Sequence, residues 1–251
     1  MSLGAVAGRP ARRIVRCQGL SAAQDARELP TYPILEAARY LRIPETTLRA
    51  WVREQRYVTA AGRRRAFEPV IRLPDRSRPL LSFMNLVEAH VLDALCREHE
   101  VPLQTVRKAL ASLARRVPPP HPLAAQRFET DGVNLFVQYF GALVNISQDG
   151  QLAMRALLQA YLRRVERDAH GIVARLYPFT RRGDPNEPRR VVIDPRISFG
   201  RPVLAGTGIP TAMLAERYKA GESVDELAKD YGRDRLEIEE AIRCELAVEA
   251  A

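Results

Sequence analysis

Residues 34–53 read ILEAARYLRIPETTLRAWVR, and their spacing decides the fold of the N-terminal half. Ile34, Ala37, Ala38 and Leu41 fall at i, i+3, i+4 and i+7, the stripe that a helix buries. Residues 42–44 then make a tight turn, and Pro44 suits the first turn of a second helix, where no backbone N–H is needed. In that helix Leu48, Trp51 and Val52 pack inward, which leaves Glu45, Thr46, Thr47, Arg49 and Arg53 toward the open side. Two short helices so arranged form a helix-turn-helix, whose second helix offers short polar and Arg side chains to base edges and phosphates.

Downstream, residues 57–60 and 66–73 read as two short strands joined through Gly62, Arg63, Arg64 and Arg65. This is a wing whose three consecutive guanidiniums can neutralise phosphates or enter a minor groove. The plainer readings stand beside these: an Arg face that is merely solvated, Thr46 and Thr47 satisfying backbone donors at a helix start, Trp51 as core. Ser82 caps a helix bearing Phe83, Leu86, Val87, His90 and Val91, and a further helix carries Leu103, Val106, Leu110, Leu113 and Val117. In this order of elements residues 32–117 resemble a MerR-type DNA-binding domain. The resemblance rests on Glu36, Ala37, Ala38, Leu41, Ile43, Thr47, Leu48, Arg49 and Trp51, on the basic wing, and on the turn at 99–103. It implies base or phosphate contact at Thr47, Arg49, Arg63, Arg64 and Arg65, to which helix geometry adds Thr46 and Arg53.

Upstream, residues 1–30 lack a sustained apolar period and read as a basic flexible tail ahead of a DNA-binding domain at 31–118. Pro118, Pro119, Pro120 and Pro122 form a stiff linker. Beyond it, 127–130 and 133–138 flank Asp131 and Gly132, a two-residue hairpin signal. Residues 143–147 read as another strand. Next comes a helix with Leu152, Leu157, Tyr161, Leu162 and Val165 on its apolar side and Arg163, Arg164 and Arg167 on a solvated edge, then a strand at 172–177. The expectation for 119–190 is a small α/β middle module with linkers, the last of them at 181–190.

The C-terminal segment, 191–251, opens with a short strand at 191–193. Asp194-Pro195-Arg196-Ile197, Gly200-Arg201-Pro202-Val203 and Gly206-Thr207-Gly208-Ile209-Pro210 follow. Ser223 with Glu226 is a capping box, and Asp234 opens a last helix with Leu236, Ile238, Ala241, Ile242 and Leu246 as its apolar side. The glycines supply backbone geometry, since neither a Gly-Lys-Ser/Thr end nor a third dinucleotide-fingerprint glycine is present. Residues 191–246 resemble a small strand-plus-three-helix domain of VapB-like antitoxins. Two departures stand out: Gly208 where that family often has Arg, and Phe199 where it often has Gly. A MerR-like N-terminal half joined to this domain is itself the arrangement of a longer VapB-like antitoxin subgroup. The fold expected is therefore mainly α with short β elements: winged helix-turn-helix, α/β middle module, and C-terminal three-helix domain with a leading strand.

Charge sharpens the division. Lys plus Arg total 39 against 30 acidic residues, but residues 1–120 hold 21 basic and 11 acidic side chains while 121–251 hold 18 and 19. The excess sits where an anionic partner is expected, and 36 of the 39 cations are Arg, which suits bidentate phosphate and guanine contacts. No run approaches 18 apolar residues and the N-terminus lacks the apolar core of a secretory signal, so neither membrane nor export is expected. Cys17, Cys96 and Cys244 are odd in number and scattered, which fits reduced thiols in cytoplasm. His90, His99, His121 and His170 lack zinc-ligand spacing, His90 reads as a core residue, and Glu237, Glu239 and Glu240 read as solvated. No nucleophile motif is present, so no catalytic residue, metal or cofactor is expected. The resemblance implies an antitoxin that represses its own operon by binding operator DNA; because one short recognition helix reads few bases, a homodimer on a palindromic site is expected. It also implies direct neutralisation of a PIN-type ribonuclease toxin, which an antitoxin can achieve by covering the nuclease site or by placing an Arg among its carboxylates; Arg196 and Arg201 are the candidate inserts read from the sequence. The alternative is a stand-alone MerR-like transcription regulator whose C-terminal half senses a ligand or dimerises.

Overall fold

The computed structural model describes residues 25–58, 64–97, 103–113, 120–181 and 187–246. Tail residues 1–24 with Cys17, and also Arg63, His99, Pro118 and Pro119, lie outside the described residues. Within them are nine α-helices and four two-stranded antiparallel sheets, a mainly helical fold with short β elements as expected. None of the described helices is long and apolar enough to cross a membrane.

The chain enters through β1 (Tyr32–Pro33), α1 (Ile34–Leu41) and α2 (Glu45–Val52), then a ribbon of β2 (Gln55–Val58) and β3 (Arg64–Phe67). Next come β4 (Leu80–Leu81), which pairs with β1, and the helices α3 (Phe83–Arg97) and α4 (Leu103–Leu113). The cap expected of Ser82 is present and reciprocal. Its hydroxyl accepts from the Asn85 N–H and the Asn85 side-chain oxygen accepts from the Ser82 N–H, both at 3.2 Å. Helix α3 is buried from Phe83 through Leu95, so its polar residues need internal partners. They have them: Asn85 donates to the Arg72 carbonyl (3.0 Å), His90 Nε2 lies 3.2 Å from the Tyr161 carbonyl, and the Tyr161 hydroxyl donates to Asp93 (3.1 Å). His90 is thus the satisfied core residue that the sequence suggests.

The hairpin expected around Asp131 and Gly132 does not form. Residues 128–132 make one wide helical turn that runs directly into α5 (Val133–Val144). The apolar residues here satisfy a helix better than a strand: Val133, Phe136, Val137 and Phe140 repeat at i, i+3, i+4 and i+7, and all are buried. Gly132 serves packing rather than a turn, because a Cβ there would stand 2.8 Å from the Phe128 ring. Nor do residues 143–147 form a strand. They end α5, pass through left-handed Asn145, and place Ser147 as the N-cap of α6 (Gln148–Leu162), its hydroxyl accepting from the Gly150 N–H at 3.2 Å. In α6 the inward residues are Met154, Leu158, Tyr161 and Leu162, whereas Leu152, expected inside, is exposed. The hairpin of this region lies later, between β5 (Val165–Arg167) and β6 (Val173–Leu176), turned by Asp168, whose carboxylate accepts from the N–H groups of His170 and Ile172.

A single apolar core runs from Tyr32 to Ile193, so α5, α6 and the β5–β6 hairpin share packing with the helix-turn-helix. A second core, centred on Leu204, Leu214, Leu227, Ile238, Ala241 and Ile242, belongs to the C-terminal segment. There β7 (Val191–Val192) pairs with β8 (Val203–Leu204), followed by α7 (Thr211–Lys219), α8 (Val224–Tyr231) and α9 (Arg235–Leu246). The Ser223–Glu226 capping box is formed in full. Two expectations on α9 change: Leu236 is exposed, while Glu240 is buried and bonded to Thr180, Arg181 and Arg243. Arg164 and Arg167 also depart from their expected solvated edge: Arg164 is 3% exposed, and Arg167 lies on β5 and donates to the carbonyls of Ala124 (2.8 Å) and Gly171 (3.2 Å).

Where the Pro-rich linker meets the core, His121 stands between two carboxylates, 2.9 Å from Glu88 and 2.9 Å from Glu28. Burial alone would lower its pKa, but the hydrogen bonds and charges of Glu88 and Glu28 outweigh that and raise it. A base whose folded pKa is raised stabilises fully below its unfolded value, near 6.5, and loses that contribution as pH rises through the folded value. Urea unfolding from pH 6 to 9 should therefore show the wild type losing stability relative to His121→Asn. Parallel curves for the two proteins would remove His121 from the pH dependence.

Candidate nucleic-acid interface

The turn between α1 and α2 is built by Arg42, which adopts a left-handed conformation (φ 56°, ψ 36°) and closes α1. Its N–H donates to the Arg39 carbonyl (3.1 Å), and the next N–H, of Ile43, reaches the Ala38 carbonyl (3.0 Å). The other end of α2 is pinned as well. The Trp51 carbonyl accepts from the N–H groups of Val70 (2.8 Å) and Ile71 (3.1 Å), which ties the exit of the β2–β3 ribbon to the end of the helix. With Leu48, Trp51 and Val52 buried beneath it, α2 has one orientation available.

The open face carries the residues read from the sequence. Thr46 and Arg53 are exposed, Thr47 and Arg49 are half-buried, and the start of the helix takes no side-chain cap, so the threonines are not spent there. Arg49 forms an ion pair with Glu45 one turn earlier. Such a surface pair is worth roughly 0.2–1 kcal/mol and yields readily to a phosphate or guanine. The ribbon is shifted from the strands expected at 57–60 and 66–73: Arg64 and Arg65, expected in the connecting loop, lie on β3, in register with Val58 and Tyr57 of β2, and residues 68–73 are not strand. The structure thus places α2 and a basic ribbon next to each other. Among the described residues it gathers no group of His, Cys, Asp and Glu able to hold a metal.

The C-terminal candidates lie elsewhere. Asp194 is buried and accepts from the Arg196 N–H (2.9 Å), the Arg196 guanidinium (3.1 Å) and Arg175 (3.1 Å). Burial would raise its pKa, but the hydrogen bonds from Arg196 and Arg175 win, and it falls below the usual range. Arg196 is therefore tethered to Asp194 through both its backbone N–H and its guanidinium although its side chain is largely exposed, and Arg201 is exposed. Cys96 and Cys244 are inert by environment, each thiol pushed up to about 12 by burial.

Three features escaped the sequence. Between Arg196 and Arg201, Phe199 sits in solvent on left-handed backbone, which costs a residue with a Cβ about 1–2 kcal/mol. The C-terminal helices grip the first helix: Arg42 donates to the Arg243 carbonyl (2.8 Å), and Glu245 pairs with Arg39 (3.3 Å) while accepting from Thr211 (2.6 Å). Arg164 and Glu187 form a buried ion pair. Only Phe199 left a trace in the sequence, as one of the two departures noted beside the resemblance.

Comparison with known proteins finds matches over two stretches of the chain. Residues 30–110 match a family described as "Putative DNA-binding HTH domain", and residues 191–243 match one described as "Protein of unknown function". The chain is 30% identical over 220 residues to "Putative antitoxin VapB45" of Mycobacterium tuberculosis, spanning 82% of this chain and 89% of that protein. It also resembles the crystal structure of Rv2018 from Mycobacterium tuberculosis, with a TM-score of 0.60 and 27% identity over 86% of this chain and 98% of that one.

Proposed function

Because this chain belongs to the VapB45 family of antitoxins and carries a DNA-binding helix-turn-helix, we propose that it neutralises a cognate PIN-type ribonuclease and represses its own operon. The observation that carries the DNA half is the open face of α2, with Thr46, Thr47, Arg49 and Arg53, followed by the β2–β3 ribbon on which Arg64 and Arg65 lie; Arg63 precedes them in sequence, outside the described residues. One short recognition helix reads few bases, so a homodimer on a two-fold operator suits it. The C-terminal half, with no net positive charge to draw it to DNA, supplies the toxin contacts, Arg196 and Arg201 among them. The protein then acts in the cytoplasm by binding rather than by catalysis.

Co-expression with the neighbouring reading frame should rescue growth and co-purify both proteins. Full ribonuclease activity at saturating antitoxin would refute neutralisation, and a regulator that only senses a ligand would leave the neighbour's toxicity untouched. For the wing, replacing Arg63, Arg64 and Arg65 by Ala should lower the slope of log affinity against log salt by about 2–3 in a shift assay. An unchanged slope would take the wing off the DNA.

A further inference from the structure

Phe199 is 89% exposed, the most exposed of the large hydrophobic residues described. Single exposed apolar side chains are common and need no account. This one differs in its backbone. Ser198 (φ 47°) and Phe199 (φ 56°) are consecutive residues with a Cβ in the left-handed region. Strain of this kind persists only where surrounding structure over-determines it, and the loop is held on every side. The buried Tyr32 hydroxyl donates to the Gly200 carbonyl at 3.0 Å. The Gly200 N–H reaches the Ile197 carbonyl (2.9 Å), the Arg201 N–H reaches the Ser198 carbonyl (3.1 Å), and the Ser198 hydroxyl donates to the Gly208 carbonyl (3.3 Å). The fold thus holds the backbone of an exposed aromatic residue in an unfavourable conformation, and the ring makes no internal packing in return.

We infer that Phe199 is the aromatic anchor of the toxin-binding surface, entering an apolar pocket on the toxin whose rim is acidic. This rests on the antitoxin reading above. The rim chemistry follows from the flanks: Arg196 and Arg201 stand three residues before and two after, both exposed. Nothing lies within 4 Å of where a Cβ would project at Gly206 or Gly208, so a partner can approach the Gly206–Gly208 turn closely. An aromatic carried on a braced backbone between guanidiniums is the composition of a binding hot spot, and the fixed main chain lowers the ordering lost on docking. A protein partner fits better than a nucleic acid, because residues 121–251 carry 18 basic against 19 acidic side chains.

The test uses the full chain, the purified cognate toxin and operator DNA. Phe199→Ala should weaken toxin affinity about 30-fold or more. Phe199→Gly should weaken it as much while raising the melting temperature, since glycine accepts the left-handed conformation freely. Operator affinity should stay unchanged in both. Toxin affinity within threefold of wild type for both variants overturns the inference and leaves the antitoxin reading intact. Loss of operator affinity with toxin binding preserved overturns it in favour of a nucleic-acid contact. Failure of the wild-type chain to bind the toxin at all removes both.

Discussion

Glu187→Ala should destabilise the protein by about 3–5 kcal/mol, measured as the free energy of urea unfolding. Neither member of the ion pair that Glu187 makes has access to water: the side chains of Arg164 and Glu187 are 4% and 0% exposed at a separation of 3.2 Å. The guanidinium is otherwise saturated, donating to the carbonyls of Tyr177 (2.7 Å), Glu187 (2.9 Å) and Pro178 (3.2 Å) and lying 4.3 Å over the Phe179 ring. The carboxylate accepts from the backbone N–H groups of Thr180 (2.6 Å) and Arg181 (2.7 Å). Alanine would leave a buried cation without its counter-charge and orphan the buried Thr180 N–H, each loss carrying a full desolvation cost, and would free the partly buried Arg181 N–H as well. The double variant Arg164→Met, Glu187→Leu should recover most of the loss, because apolar side chains need no partners. A single-variant loss below about 1 kcal/mol would mean that water reaches the site.

That ion pair also marks where reading the sequence stops. Arg164 follows an amphipathic helix and Glu187 lies in a Pro-rich charged stretch, so local pattern assigns both to the surface. Only the approach of segments 23 residues apart makes them a pair. The same holds for Glu240, whose carboxylate is claimed by Thr180 and Arg181 from some 60 positions away. By contrast α1, α2 and α8 were legible because their determinants are local: a stripe at 3–4 spacing for the first two and a capping box for the third. Asp131-Gly132 failed for an instructive reason. The dipeptide permits a hairpin but does not compel one, and four phenylalanine and valine side chains at helical spacing bury more apolar surface than two short strands would. On the candidate site, the open face of α2 followed from its buried face by subtraction. The exposure of Phe199 did not, since no sequence rule places a phenylalanine in solvent.

Subtraction also sets the size of the DNA effect. Arg49→Ala combined with Arg53→Ala should cost about 30-fold or more in operator affinity, at roughly 1 kcal/mol or more for each guanidinium taken away from the DNA. Arg53 ends α2 in extended conformation and is exposed, and Arg49 leaves the same helix one turn earlier. Leu48, Trp51 and Val52 hold the helix in place without either Arg, so the double variant should keep the wild-type melting temperature and toxin affinity. Salt then separates two modes of binding. If both residues meet phosphates, the slope of log affinity against log salt falls by about two and all sequences suffer alike. If they read bases, the slope barely moves and discrimination between operator and random DNA collapses. Glu45→Gln should act in the opposite direction, because it frees Arg49 from its ion pair and takes a negative charge away from the approaching backbone. A rise of a few fold is expected, in keeping with the weakness of exposed ion pairs. Operator affinity within twofold of wild type for the Arg49, Arg53 double variant would show that α2 is not the reading helix, whatever the wing does.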